Sequence, residues 1–196
     1  MRNEKEWSIN QANSKISFIA QHSTIANVKG IFKVFGASIY TLSNDFGTAK
    51  IDLWIDASSI TTGDVDRDEH LKANNNLDTE NYDQIRFVTN RIQKINDRNF
   101  ELHGNLTIKK VTKLIKFRGQ LGEISEDSEG NERVDFSITG SIPRSDWSLD
   151  PTTFYNGSSV VVGEDILITC DIKLNCPYLY VPHNPFVPAF NENGVL

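Results

Sequence analysis

Cysteine is scarce in this chain: only Cys170 and Cys176 occur in 196 residues, too few for a disulfide scaffold. Six residues of extended chain between them span roughly 20 Å, well beyond disulfide reach. Cys170 therefore reads as a buried free thiol, and a disulfide needs a turn at Asn175. Long apolar runs are missing as well, since no stretch approaches the roughly 18 residues of a membrane-spanning helix. The opening MRNEKEWSINQ has a charged start but no apolar core and no small-residue cleavage site, so no signal peptide is read in it. A cytoplasmic protein is expected, or a periplasmic one if a signal was removed before residue 1.

Positive charge is in deficit, with 20 Lys and Arg against 26 Asp and Glu and a net charge of -6. The basic residues are scattered, the densest run being Lys109, Lys110 and Lys113, which argues against a duplex nucleic-acid partner. No GxSxG, HExxH, CxxC, P-loop or GxGxxG occurs, so no catalytic residue, metal ligand or cofactor is assigned. Proline is rare before the C-terminus: four of the six stand at Pro177, Pro182, Pro185 and Pro188. They forbid a helix or a central strand there. Tyr178, Tyr180, Phe186 and Phe190 are too apolar for a free tail, so residues 176–196 read as an extension packed on the body or on a partner chain.

What remains is a chain of short alternating runs. With 38% hydrophobic residues, 11 of them Phe, it can bury one substantial core, and 1–175 reads as a single domain. Apolar and polar residues alternate at 16–20, 51–56, 85–90, 92–95, 100–108, 111–121, 134–142 and 166–174. Ile31–Val34 and Ala37–Thr41 form two further extended runs divided at Gly36, and Asn44–Gly47 forms a turn. The acidic segment from Glu123 to Glu132 reads as a hairpin loop centred on Gly130. This gives eight to ten strands, each burying one face, in an antiparallel barrel or sandwich. About eight strands enclose either packed side chains or one ligand, and bulky Phe rings suit both, so pattern alone leaves cavity and solid core open.

One helical crossover interrupts the strands. Thr62 or Asp64 can cap it, Asp66, Asp68 and Glu69 place negative charge in its first turn, and Lys72 lies in its last. Asp64, Asp66 and Asp68 mimic the start of an EF-hand loop, but Glu69 stands where glycine is needed and Asn75 where the bidentate Glu belongs. These acids, with Arg67, read as cap and salt bridge.

Taken together, WSINQANSKISFIAQH, VKGIFKVFGASI, IDASSITTGDVDRDEHLK, YDQIRF, GNLTIKKVTK, IPRSDWSL and VVGEDILITCDIKL resemble the YceI family of bacterial lipocalin-like proteins, over roughly Trp7 to Leu174. The resemblance implies an all-β, eight-stranded antiparallel lipocalin-like barrel that holds a long isoprenoid or similar amphiphilic chain, often as a homodimer. A non-enzymatic carrier of that kind would draw its inner face from Phe18, Phe32, Ile39, Leu53 and Ile55, and from Phe87, Leu106, Phe117, Phe136 and Ile168. His22, Arg67 and His70 are the expected head-group contacts at the mouth. Trp147 joins the ligand-binding set, or else closes the barrel base behind a turn pinned by Arg144 and Asp146. Two rivals stand beside the carrier: a filled barrel that docks through its tail, and an enzyme on a lipid-like substrate with His70 and nearby acids as acid and base.

Overall fold

The structure is a computed structural model that describes residues 4–21, 27–155 and 158–178, with residues 154 and 155 described by backbone alone. Its strands are β1 (Glu4–Ile9), β2 (Lys15–Ala20), β3 (Val28–Phe32), β4 (Phe35–Leu42), β5 (Asp45–Asp56), β6 (Ile60–Thr61) and β7 (Gln84–Lys94). They continue with β8 (Asn99–Ile108), β9 (Val111–Leu121), β10 (Ser125–Glu126), β11 (Glu132–Pro143), β12 (Thr152–Tyr155), β13 (Ser158–Val161) and β14 (Asp165–Cys176). One α-helix, α1 (Val65–Lys72), lies between β6 and β7. Among the described residues no helix is long and apolar enough to cross a membrane.

These pieces make a closed antiparallel barrel of eight wall positions. The chain reaches eight because three walls are broken strands: β1 and β2 follow one another along β14, β3 and β4 follow one another beside them, and β5 and β6 pair in turn with β4 and β3. The ring then runs through β5, β7, β8, β9 and β11, and closes where β11 pairs with β14 from Glu132↔Cys176 to Pro143↔Asp165. Closure leaves β14 hydrogen-bonded along both edges, which removes the exposed edge an open sheet would carry.

The interior has two halves. At the end of the β4–β5 and β7–β8 hairpins, Trp7, Phe46, Phe100 and Phe136 interlock with ring centroids 5.2–6.4 Å apart. Trp7 is buried, and its indole donates to Thr41 Oγ1 at 2.9 Å, so the polar edge of the ring is satisfied within the core. The opposite end carries both long excursions, 57–83 with α1 and 144–164 with the β12–β13 hairpin.

Two local expectations are corrected. The break in the 31–41 run falls at Lys33 and Val34, whose backbone N–H groups donate to Ser59 O and Ser59 Oγ, and not at Gly36. Gly36 stays in β4 because the Trp54 ring lies over it, 2.7 Å from where a Cβ would stand. The strand at 84–94 does not divide at Asn90 but passes a bulge between Thr89 and Arg91, where Thr89 Oγ1 accepts from Ile51 N and donates to Ile51 O. The β12–β13 hairpin was not anticipated at all. Both cysteines are free on one strand, with Cys170 buried among Ile16 and Ile138 as its lateral neighbours.

Phe136 belongs to the packed half, so Phe136→Ala should cost about 3–5 kcal/mol through the void it leaves. Ile95→Ser, at an exposed turn position, should stay within about 0.5 kcal/mol. Urea unfolding followed by tryptophan fluorescence measures both, and equal losses would contradict the division of the core.

Candidate functional site: an apolar cavity

The half below the excursions is not filled. A cavity of about 140 Å³ lies there, walled by β2, β3, β5, β7, β8, β9, β11 and β14 and almost wholly apolar. Its shape follows from three close approaches. Phe18 lies across Gly30, Phe87 across Gly104 and Phe117 across Gly140; an added Cβ on those glycines would come within 2.1–2.6 Å of the ring. Each ring therefore rests on the wall instead of projecting into the lumen. Phe18 also meets Phe32 at 5.8 Å and Phe87 meets Phe117 at 5.5 Å, so the rings brace one another in pairs.

The excursions form a two-part cover. Leu71 of α1 and Leu77 beyond it reach the cavity from one side, and Leu149, Thr153 and Val162 reach it from the other. The parts are tied together: His70 Nε2 donates to Thr152 O at 3.1 Å, Asp150 N donates to Asn75 O at 3.1 Å, and the Asn75 amide donates to the Asp150 carboxylate. α1 is anchored to the wall in turn. Asp64 caps it by accepting from Arg67 N at 3.1 Å. Asp68 accepts from Thr61 Oγ1, Thr62 N and Thr62 Oγ1 at 2.6–2.8 Å.

Burial pushes the Asp68 carboxyl up, but the donors from Thr62 and Thr61 outweigh it and hold the group below the ordinary aspartate value. The Asp150 carboxyl is also held low, first by the Thr152 hydroxyl and backbone N–H and then by Asn75. Burial raises the Cys170 thiol to about 12, so at neutral pH this cavity-lining sulfur is a small apolar group and not a nucleophile.

Of the residues singled out from sequence, the cavity brings together Phe18, Phe32, Leu53, Ile55, Phe87, Leu106, Phe117 and Ile168. Ile39 and Phe136 face inward but lie outside its lining, in the buried core. Arg67 and His70 sit on the cover helix yet do not line the space. The Arg67 guanidinium donates to Thr62 Oγ1 at 2.8 Å and pairs with Asp64 at 3.6 Å. Trp147 is fully buried outside the lining and donates to Val111 O at 3.1 Å, where β9 and β11 have parted. Arg144 and Asp146 do not pin its turn to each other; Arg144 bonds Gly163 O and Leu149 O, and Asp146 pairs with Lys113. His22 lies outside the described residues, as does most of the 176–196 extension; Tyr178, the last described residue, donates its N–H to Asn131 Oδ1. Among the described residues no three His, Cys, Asp or Glu side chains gather as a metal site.

Sequence reasoning missed the cover: Leu71, Asn76, Leu77, Leu149, Thr153 and Val162. Three signals pointed to it. Leu71 is an apolar residue late in a charged helix, and Leu77 ends a run of three asparagines. Asn156-Gly157 between two β-branched runs is likewise a strong hairpin signal.

A closed antiparallel barrel with an apolar chamber under a loop-and-helix cover defines the lipocalin-like class. Within it, residues 7–174 match the family model described as YceI-like domain, and the chain belongs to the YceI family. A UPF0312 protein of Staphylococcus aureus is 30% identical over 156 residues, 79% of this chain and 88% of that protein. The solved YCEI protein of Campylobacter jejuni is 27% identical with a TM-score of 0.65, over 79% of this chain and 88% of its own. A domain from Saccharophagus degradans, described as a polyisoprenoid binding domain implicated in plant cell wall breakdown, shares the fold at 16% identity and a TM-score of 0.67, covering 88% and 99%.

The low folded-state values of Asp68 and Asp150 fix how the cover responds to acid. A depressed carboxyl contributes stability in full above the ordinary aspartate value and loses it as the pH falls through the folded-state value. Hydrogen-exchange protection of α1 relative to β14 is therefore expected to fall on acidification below that range. Asp68→Asn should cost about 1–2 kcal/mol at neutral pH through its lost charge-assisted bonds. Unchanged relative protection across that range would contradict the anchoring role.

Proposed function

We propose that this protein is a non-catalytic carrier that takes the apolar chain of an isoprenoid or similar long amphiphile into its cavity. The observation that carries the reading is the chamber itself: a closed barrel whose interior is left open by rings that rest on glycine. The description of the Saccharophagus degradans domain as polyisoprenoid binding supports the isoprenoid as the chain type.

Magnitudes shape the ligand. An engineered cavity of about 150 Å³ holds one benzene, so 140 Å³ accommodates about one isoprene unit without rearrangement. A longer chain must extend through the cover or displace it. Burying about 400 Å² of apolar chain gains about 10 kcal/mol, against about 4–15 kcal/mol lost in association. Short amphiphiles are thus expected to bind poorly, and each further buried methylene to tighten binding about fourfold.

The two rival readings lack such an observation. His70, the candidate acid or base, does not line the cavity and spends Nε2 on Thr152 O, and a filled barrel has no use for the chamber.

Native mass spectrometry of the freshly purified protein, followed by organic extraction, tests the reading and reports whether the chain is the homodimer that the family resemblance implies. The expected result is a releasable species with a long apolar chain, or uptake of added farnesol by empty protein. Gly140→Ala, which drives Phe117 into the lumen, should weaken farnesol uptake at least tenfold, whereas Ile95→Ser should leave it unchanged. Failure of both released and added chains to bind would overturn the proposal.

A further inference from the structure

We infer that the covered end of the cavity selects an amphiphile with a neutral, oxygen-bearing head, an alcohol or a carbonyl, and that Thr153 Oγ1 supplies its hydrogen bond. This inference rests on the carrier reading and adds the class of head group to it.

Thr153 stands on β12, is 3% exposed and lines the cavity. Its Oγ1 is buried and, among the described residues, meets no hydrogen-bond partner. A buried hydroxyl left unpaired is disfavoured and calls for an explanation. The chamber it borders offers one, because a hydroxyl can both donate to and accept from an entering head group.

Other polar groups at this end already make bonds within the protein. Thr152 Oγ1 donates to Asp150 Oδ1 at 2.6 Å, and the Asn76 amide donates to His70 O at 3.3 Å. Arg144 is the one cation among the described lining residues. Its Nε donates to Gly163 O and its Nη1 to Leu149 O, both at 3.1 Å, while Nη2 pairs with Glu164 at 3.7 Å. With Arg144 balanced by Glu164, Asp150 leaves the lining negative.

A phosphate or carboxylate brought here would lose its hydration, find no uncommitted cation among the described lining residues and lie near a carboxylate. An ammonium would face the same desolvation, and both Asp150 oxygens already accept from Thr152 and Asn75. An alcohol or carbonyl brings no charge and completes the Thr153 hydroxyl.

Equilibrium dialysis of the full chain with radiolabelled farnesol, farnesyl phosphate, farnesylamine and the headless hydrocarbon farnesene tests this. Farnesol is expected to bind at least tenfold more tightly than the phosphate or the amine. Thr153→Val should weaken farnesol about fivefold, the worth of one hydrogen bond, leave farnesene unchanged, and keep or raise the thermal midpoint because it removes an unpaired hydroxyl. Thr153→Ser should restore farnesol binding. The inference is overturned if the phosphate or amine binds as tightly as farnesol, if Thr153→Val binds farnesol like the wild type, or if that variant lowers the midpoint and weakens farnesene equally. Farnesene binding with no preference for farnesol sinks the head-group inference alone; failure of all four probes sinks the carrier reading with it.

Discussion

The interior of this barrel depends on contacts between phenyl rings and bare backbone. Where a wall strand carries glycine, a ring from the neighbouring strand settles into the space that a Cβ would occupy, as Phe117 does over Gly140 and Phe18 over Gly30. A phenyl ring held this way covers wall instead of filling lumen. The same residue type fills the other half, where Phe46, Phe100 and Phe136 meet ring to ring. One amino acid thus does opposite work at the two ends; Phe136 also lies over a glycine, Gly119, and it is its ring contacts with Phe46 and Phe100 that fill that end.

Closure makes that difference count. Because β14 is paired along both edges and holds the ring shut, the wall cannot splay to absorb an intruding ring or relax onto an empty space. A chamber in an open sandwich could close by sliding one sheet over the other; in a closed ring it can close only by moving side chains. Between β9 and β11, beyond the Arg118↔Thr139 pair, adjacent walls part, and Trp147 stands there with its bond to Val111 O. Trp147 therefore serves the chamber from outside its lining.

The class of fold was legible in the alternation, and the helix in its capping residues, because both depend on local periodicity. Which residues face inward was legible for the same reason. How deep along the barrel each inward residue sits was not, since alternation gives a face and not a height: Ile39 and Phe87 look alike in sequence and fall in different halves. The cover was less legible still. Leu77 and Thr153 reach the cavity through excursions whose docking is set by tertiary bonds such as His70 to Thr152 O. Arg67 and His70 looked like mouth residues because charge at the end of a barrel suggests a head-group contact. Their side chains were instead taken up in holding the cover down, Arg67 by Thr62 and Asp64 and His70 by Thr152.

The cover and the chamber place opposing demands on the same few bonds. A chamber of 140 Å³ is smaller than the drug-sized pockets of about 300–1,000 Å³ that bury most of a ligand. A long chain must therefore move part of the cover, and the movable part is defined by what holds it. Asp68 joins α1 to the wall through three donors from Thr61 and Thr62, whereas the bonds seen between the two halves of the cover, among the described residues, involve His70, Asn75 and Asp150. Opening between the halves breaks few bonds and leaves the helix anchored. It would also part the cover between Leu77 on one side and Leu149 and Thr153 on the other, so a chain entering there as proposed would pass the hydroxyl proposed to hold its head.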